Sequence, residues 1–88
     1  MAKRFSDVVR DEPAAKQVCF RQFGSVSEIW LIVDAPDLDI ERNLLSAGLK
    51  LYEAFPDQLI DFQLVNLALS AAEITSRIPQ DADAIVLH

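Results

Sequence analysis

Residues 23–34, Phe23-Gly24-Ser25-Val26-Ser27-Glu28-Ile29-Trp30-Leu31-Ile32-Val33-Asp34, decide the fold. A Gly-Ser turn feeds straight into a run at 28–33 that is apolar on both faces, the pattern of a strand in the middle of a covered sheet. Asp34-Ala35-Pro36-Asp37 then breaks the strand and opens a helix. Asp37 is a good N-cap, and Asp39 and Glu41 set negative charge against the positive end of the helix dipole.

The spacing predicts that this helix runs over 37–55. Leu44, Leu45, Gly48, Leu51, Tyr52 and Phe55 recur three and four apart and are assigned to the buried face. Arg42, Asn43, Ser46, Lys50 and Glu53 form the wet face. Gly48 within the apolar stripe costs about 1 kcal/mol of helix propensity, so it is expected where the helix lies close on the sheet. Pro56-Asp57 ends the helix.

Residues 59–67 read as a second strand, with Ile60, Phe62 and Leu64 on one side and Asp61, Gln63 and Val65 on the other. Strand, helix and strand over 28–67 fit a parallel β-α-β crossover. Ser70-Ala71-Ala72-Glu73 fits a capping box that would start a short helix carrying Ile74 and Ile78, closed by Pro79. Residues 83–88 read as a last short strand.

Upstream, residues 4–12 predict a short helix with Phe5, Val8 and Val9 inward, and Pro13 sets its end or the start of another element. Residues 16–23 are open between two states. Val18, Cys19 and Phe20 favour a strand, whereas Pro13 before and Gly24 after favour a helix; the balance leans to strand. The expectation is a single α+β domain over 1–88. It has a small three- to four-stranded mixed or parallel sheet, a β-α-β unit, one long amphipathic helix and one or two short ones. The second face of strand 28–33 would be covered by the N-terminal segment or by a second subunit.

Eighty-eight residues, 51% of them hydrophobic and only two of them Gly, allow one packed core and no second. Fourteen acids against eight bases give a net charge of −6, which repels a phosphate backbone and argues against nucleic acid as a partner. Cys19 is the single cysteine, so no intrachain disulfide or thiolate metal cluster can form, and a buried thiol in a reducing cytoplasm is the simplest reading. His88 is the single histidine and stands at the last position. Met1-Ala2-Lys3-Arg4 lacks the apolar core of a signal peptide, and no apolar run approaches the roughly 20 residues of a membrane span. The expected location is cytoplasmic, without membrane contact.

Two sets of residues carry a resemblance. In one register Phe23-Gly24-Ser25 is followed by Asp37-Leu38-Asp39; in the other, Ser27-Glu28-Ile29-Trp30-Leu31-Ile32-Val33 is followed by Asp61. Together with the order of elements over roughly 18–88, these strings resemble a minimal nucleotidyltransferase domain of the kind found in bacterial toxin–antitoxin pairs. The resemblance implies a Gly-Ser turn that approaches nucleotide phosphates and carboxylates that hold two divalent metals for in-line transfer. Were the chain such an enzyme, Gly24 and Ser25 would take phosphate, and Asp37, Asp39 and Asp61 would take Mg²⁺. Asp37 and Asp39 would then stand at a helix start, where capping explains them and where alternate residues do not share a face. On the second register Glu28 and Asp61 remain, the loop before the acidic strand is almost wholly missing, and Trp30 occupies the place of the second acid. An indole is no ligand for a hard cation.

Walker loops, Rossmann glycines, zinc-binding His-Glu motifs and serine-nucleophile elbows are all missing from the sequence. The leading functional expectation is a non-catalytic interaction module that self-associates as a homo-oligomer or binds another protein. Phe20, Phe23 and Trp30 are its expected contact residues, and no cofactor is expected. The alternative is a Mg²⁺-dependent minimal nucleotidyltransferase acting on a protein or small molecule.

Overall fold

The computed structural model describes residues 1–70 and 78–87. Four strands, β1 (Ala15–Phe23), β2 (Val26–Val33), β3 (Leu59–Asn66) and β4 (Asp83–Val86), form one sheet in the order β3-β2-β1-β4. β1 pairs antiparallel with both β2 and β4, while β2 and β3 run parallel, so the sheet is mixed. Helix α1 (Ala2–Val9) precedes the sheet, α2 (Leu38–Ala54) connects β2 to β3, and the short α3 (Leu67–Ser70) follows β3. The α+β class, the four-stranded sheet and the β-α-β unit agree with the sequence reading, and 16–23 resolves as strand. None of the described helices is long and apolar enough to cross a membrane.

β2 lies inside the sheet, and alternate residues feed two apolar clusters, one on each face of that sheet, where the composition implied a single core. Ile29, Leu31 and Val33 join Phe5, Val9, Ala15, Val18, Leu44 and Leu51 on the face that carries α1 and α2. Trp30 and Ile32 join Cys19 and Val65 on the other face, where Leu67, Ile78 and Ala82 pack against them. Both faces of β2 are dry because both are covered, which is why its sequence does not alternate.

The second face is therefore not covered by the N-terminal segment. α1 packs on the same face as α2, where the Phe5 and Phe62 rings meet edge-on with centroids 5.7 Å apart. Within α1, Phe5 and Val9 are buried but Val8 is 64% exposed, contrary to its expected inward position. Ser6 takes the third buried place, its hydroxyl donating to the Ala2 carbonyl at 2.8 Å. A bulge sets the start of β1 on the helix side. The register with β2 slips between Ala15 and Gln17, so Ala15 and Val18, three apart, both fill the helix-side core.

α2 starts as its sequence dictates, with Asp37 accepting from the Asp39 amide at 2.8 Å. Its buried side is Leu44, Gly48 and Leu51. Leu45 and Tyr52, expected inward, are exposed. Gly48 is where the helix touches the sheet: a Cβ there would run into the Phe62 ring of β3.

α3 begins at Leu67, three residues before the capping box at Ser70. Asn66 opens it, accepting from the Ala68 amide at 3.1 Å. The rest of the expected helix, including Ala71, Glu73 and Ile74, lies outside the described residues, as does His88.

Candidate functional site

The Gly-Ser turn is a two-residue hairpin between Phe23 and Val26, the last pair of the β1–β2 ladder. Gly24 has φ of 61° and no other described residue has positive φ. Positive φ at the first of two central residues is the requirement of a type II′ hairpin turn, which Gly meets without strain. No atom lies within 4 Å of where a Gly24 Cβ would sit, so the glycine answers to the backbone and not to a close neighbour. The Gln22 side chain closes the turn, donating to the Gly24 carbonyl at 3.1 Å and accepting from the Ser27 hydroxyl at 2.9 Å.

Asp37 and Asp39 lie beyond the opposite end of β2. That strand has eight residues, about 25 Å at the usual rise. The structure thus separates the turn from the two acids that the first register joins to it. Asp37 is occupied as a helix cap, and Asp39 supplies the amide that it caps.

The second register's acids do come together. Glu28 is the register partner of Asp61 across the parallel β2–β3 pair, so both side chains leave the same face of neighbouring strands. Glu28 is nevertheless taken by Arg21, its antiparallel partner on β1. The Arg21 Nε donates to Glu28 Oε1 at 2.8 Å, and another guanidinium nitrogen lies 2.6 Å from the same oxygen. Arg21 also reaches Asp81 at 3.0 Å and stands 4.8 Å over the Phe23 ring. The hydrogen bond to Glu28 first, and that to Asp81 next, hold the Arg21 guanidinium above its ordinary value. A cation placed between Glu28 and Asp61 would compete with this fixed positive charge. Among the described residues no group of three or more His, Cys, Asp or Glu side chains is arranged to hold a metal ion.

The three expected contact residues do not share a surface. Trp30 is 2% exposed inside the second core, and its Nε1 is buried without a hydrogen-bond partner. Phe20 packs against the helix-side core on the opposite face. Phe23 alone is exposed, at 64%, next to the hairpin. Cys19 is buried beside Trp30, and burial pushes its thiol up against the smaller opposing effect of the Gln17 side chain.

Sequence reasoning missed two concave sites and one surface. A pocket of about 340 Å³ lies at the start of α1 against the hairpin half of the sheet, lined in part by Met1, Lys3, Phe20, Gln22 and Ser27. A smaller groove of about 140 Å³ runs between α1 and α2, with Val8, Leu51 and Phe55 on its walls and Arg4 and Lys50 at its rim. The surface is an exposed flank of α2, where Leu38, Leu45, Leu49 and Tyr52 are exposed. Their spacings of seven, four and three were readable in the sequence, but a stripe that wide blends into the buried one. Comparison with known protein families, with curated proteins and with solved structures gave no match.

Proposed function

We propose that this chain is a small non-catalytic interaction module that associates with itself, as a homodimer, in a reducing cytoplasm. The observation that carries this reading is the row of large apolar side chains left exposed on α2. Covering such side chains on association is favourable in proportion to the apolar area removed from water, and exposed apolar surface of this kind marks contact sites. The net charge of −6 favours a protein over a nucleic acid in that contact. Support for the non-catalytic part is local: the Gly24-Ser25 turn, the Asp37 cap and the Arg21–Glu28 pair each have a structural job that accounts for the residues present.

Light scattering across a wide concentration range tests the reading. A mass rising to twice that of the chain is expected, and a strictly monomeric mass at high concentration overturns it. Calorimetry with Mg²⁺ and ATP tests the enzymatic alternative. No heat of binding is expected at millimolar nucleotide; binding that Asp61→Asn abolishes would overturn the non-catalytic part.

A further inference from the structure

The exposed flank of α2 has an internal order beyond its apolarity. Arg42, Leu45, Leu49 and Glu53 follow one another at spacings of three, four and four, so they form a single row along the helix surface. The row reads base, leucine, leucine, acid. Leu45 and Leu49 are exposed, as are Arg42 and Glu53. Neither Arg42 nor Glu53 forms an ion pair among the described residues. The helix's own packing uses the other side, Leu44, Gly48 and Leu51, so the row is not needed to hold the domain together.

Such a row is its own complement when reversed. We propose that two copies of this chain pair through α2 in an antiparallel, two-fold arrangement, with Leu45 of each facing Leu49 of the other. Arg42 of each then faces Glu53 of the other. The geometry closes on itself. The midpoint of Leu45 and Leu49 is residue 47, and that of Arg42 and Glu53 lies between 47 and 48, a mismatch of under ~1 Å along the axis. One two-fold axis therefore serves both the apolar contact and the two ion pairs, as an isologous interface requires. A parallel pair would set Arg42 against Arg42 and Glu53 against Glu53, so charge selects the antiparallel form. Leu38, exposed one turn before Arg42, extends the apolar seam.

This inference rests on the self-association proposed above, and the test separates the two. In sedimentation equilibrium of the full chain, Arg42→Glu and Glu53→Arg should each raise the dimer dissociation constant about tenfold, because each sets two like-charge pairs across the axis. An equimolar mixture of the two single variants restores both pairs within one heterodimer and should return the constant to near the wild-type value. Leu49→Gln, which removes apolar contact from both copies, should weaken the dimer about a hundredfold. Circular dichroism on each variant checks that α2 is intact; all three positions are on the solvent side, so folding should be retained. A monomeric wild type overturns both this inference and the reading beneath it. A wild-type dimer that is indifferent to Leu49→Gln, or weakened by the charge variants without recovery in the mixture, overturns this inference alone.

Discussion

Asn66 holds three backbone groups with one side-chain amide. Its Oδ1 accepts from the Ala35 amide at 3.1 Å and from the Ala68 amide at 3.1 Å, and its Nδ2 donates to the Ala35 carbonyl at 2.8 Å. The residue therefore ties the exit of β2 to the exit of β3 and starts α3. Ala35 is itself buried, so losing the amide would strand its N–H and C=O away from water. Asn66→Leu should cost about 2–4 kcal/mol in urea unfolding, a large share of the total for a domain of this size; a loss under about 0.5 kcal/mol would show that the bonds carry little. Nothing in the sequence flagged this role, because the partner is 31 residues away. Asp37 was legible for the opposite reason: its bond reaches two residues on, and a local bond leaves a local signature.

At the scale of the element, α2 is apolar on two sides, and the sequence merged them. Spacings of three and four admit any residue within a broad arc, so Leu45 and Tyr52 were grouped with Leu44 and Leu51 although they point elsewhere. The sheet decides the matter: the helix sits with Gly48 over Phe62, and everything on its far side is left in water. Tyr52 then gains a second task, its hydroxyl accepting from the Phe62 amide at 3.2 Å on the outer edge of β3. That contact occupies one donor of an open strand edge, which is otherwise a template for unwanted pairing. Gly48→Ala sets two effects against each other. Helix propensity gains about 1 kcal/mol, while the Phe62 ring must leave its edge-on contact with Phe5, at about 1–3 kcal/mol. We expect net destabilisation of about 1 kcal/mol in denaturant titration. Gly48→Ala combined with Phe62→Leu should fall short of the sum of the two single losses, since the smaller side chain makes room. Strict additivity would show that the two residues do not compete for space.

For the whole molecule, the central fact is that one chain covers both faces of its sheet along β2. The helix side is closed by α1 and α2 together, and the other side has its own cluster around Trp30. Trp30 is consequently a core residue of the monomer. Trp30→Ala should cost about 3–5 kcal/mol, and the loss in unfolding free energy should be the same at every protein concentration. A loss that vanished on dilution would return the residue to an interface between copies.

Periodicity in the sequence determined the class of fold, its element order and the central place of β2. A strand dry on both sides, a capped amphipathic helix and an alternating strand can each be recognised over a few residues, because the backbone repeat of each is local. Residues 16–23 lean to strand on the same grounds, though only the ladder to β2 and β4 shows where that strand lies. The tertiary structure alone decided which apolar residues share a core. The bulge that turns Ala15 to the side of Val18, the placement of α1 beside α2, and the meeting of Glu28 with Asp61 all depend on register between distant segments. The separation of the Gly-Ser turn from Asp37 and Asp39 needs no such register, because β2 itself runs between them. A string of residues can suggest a phosphate site, but only the closure of the sheet brings members from distant segments together.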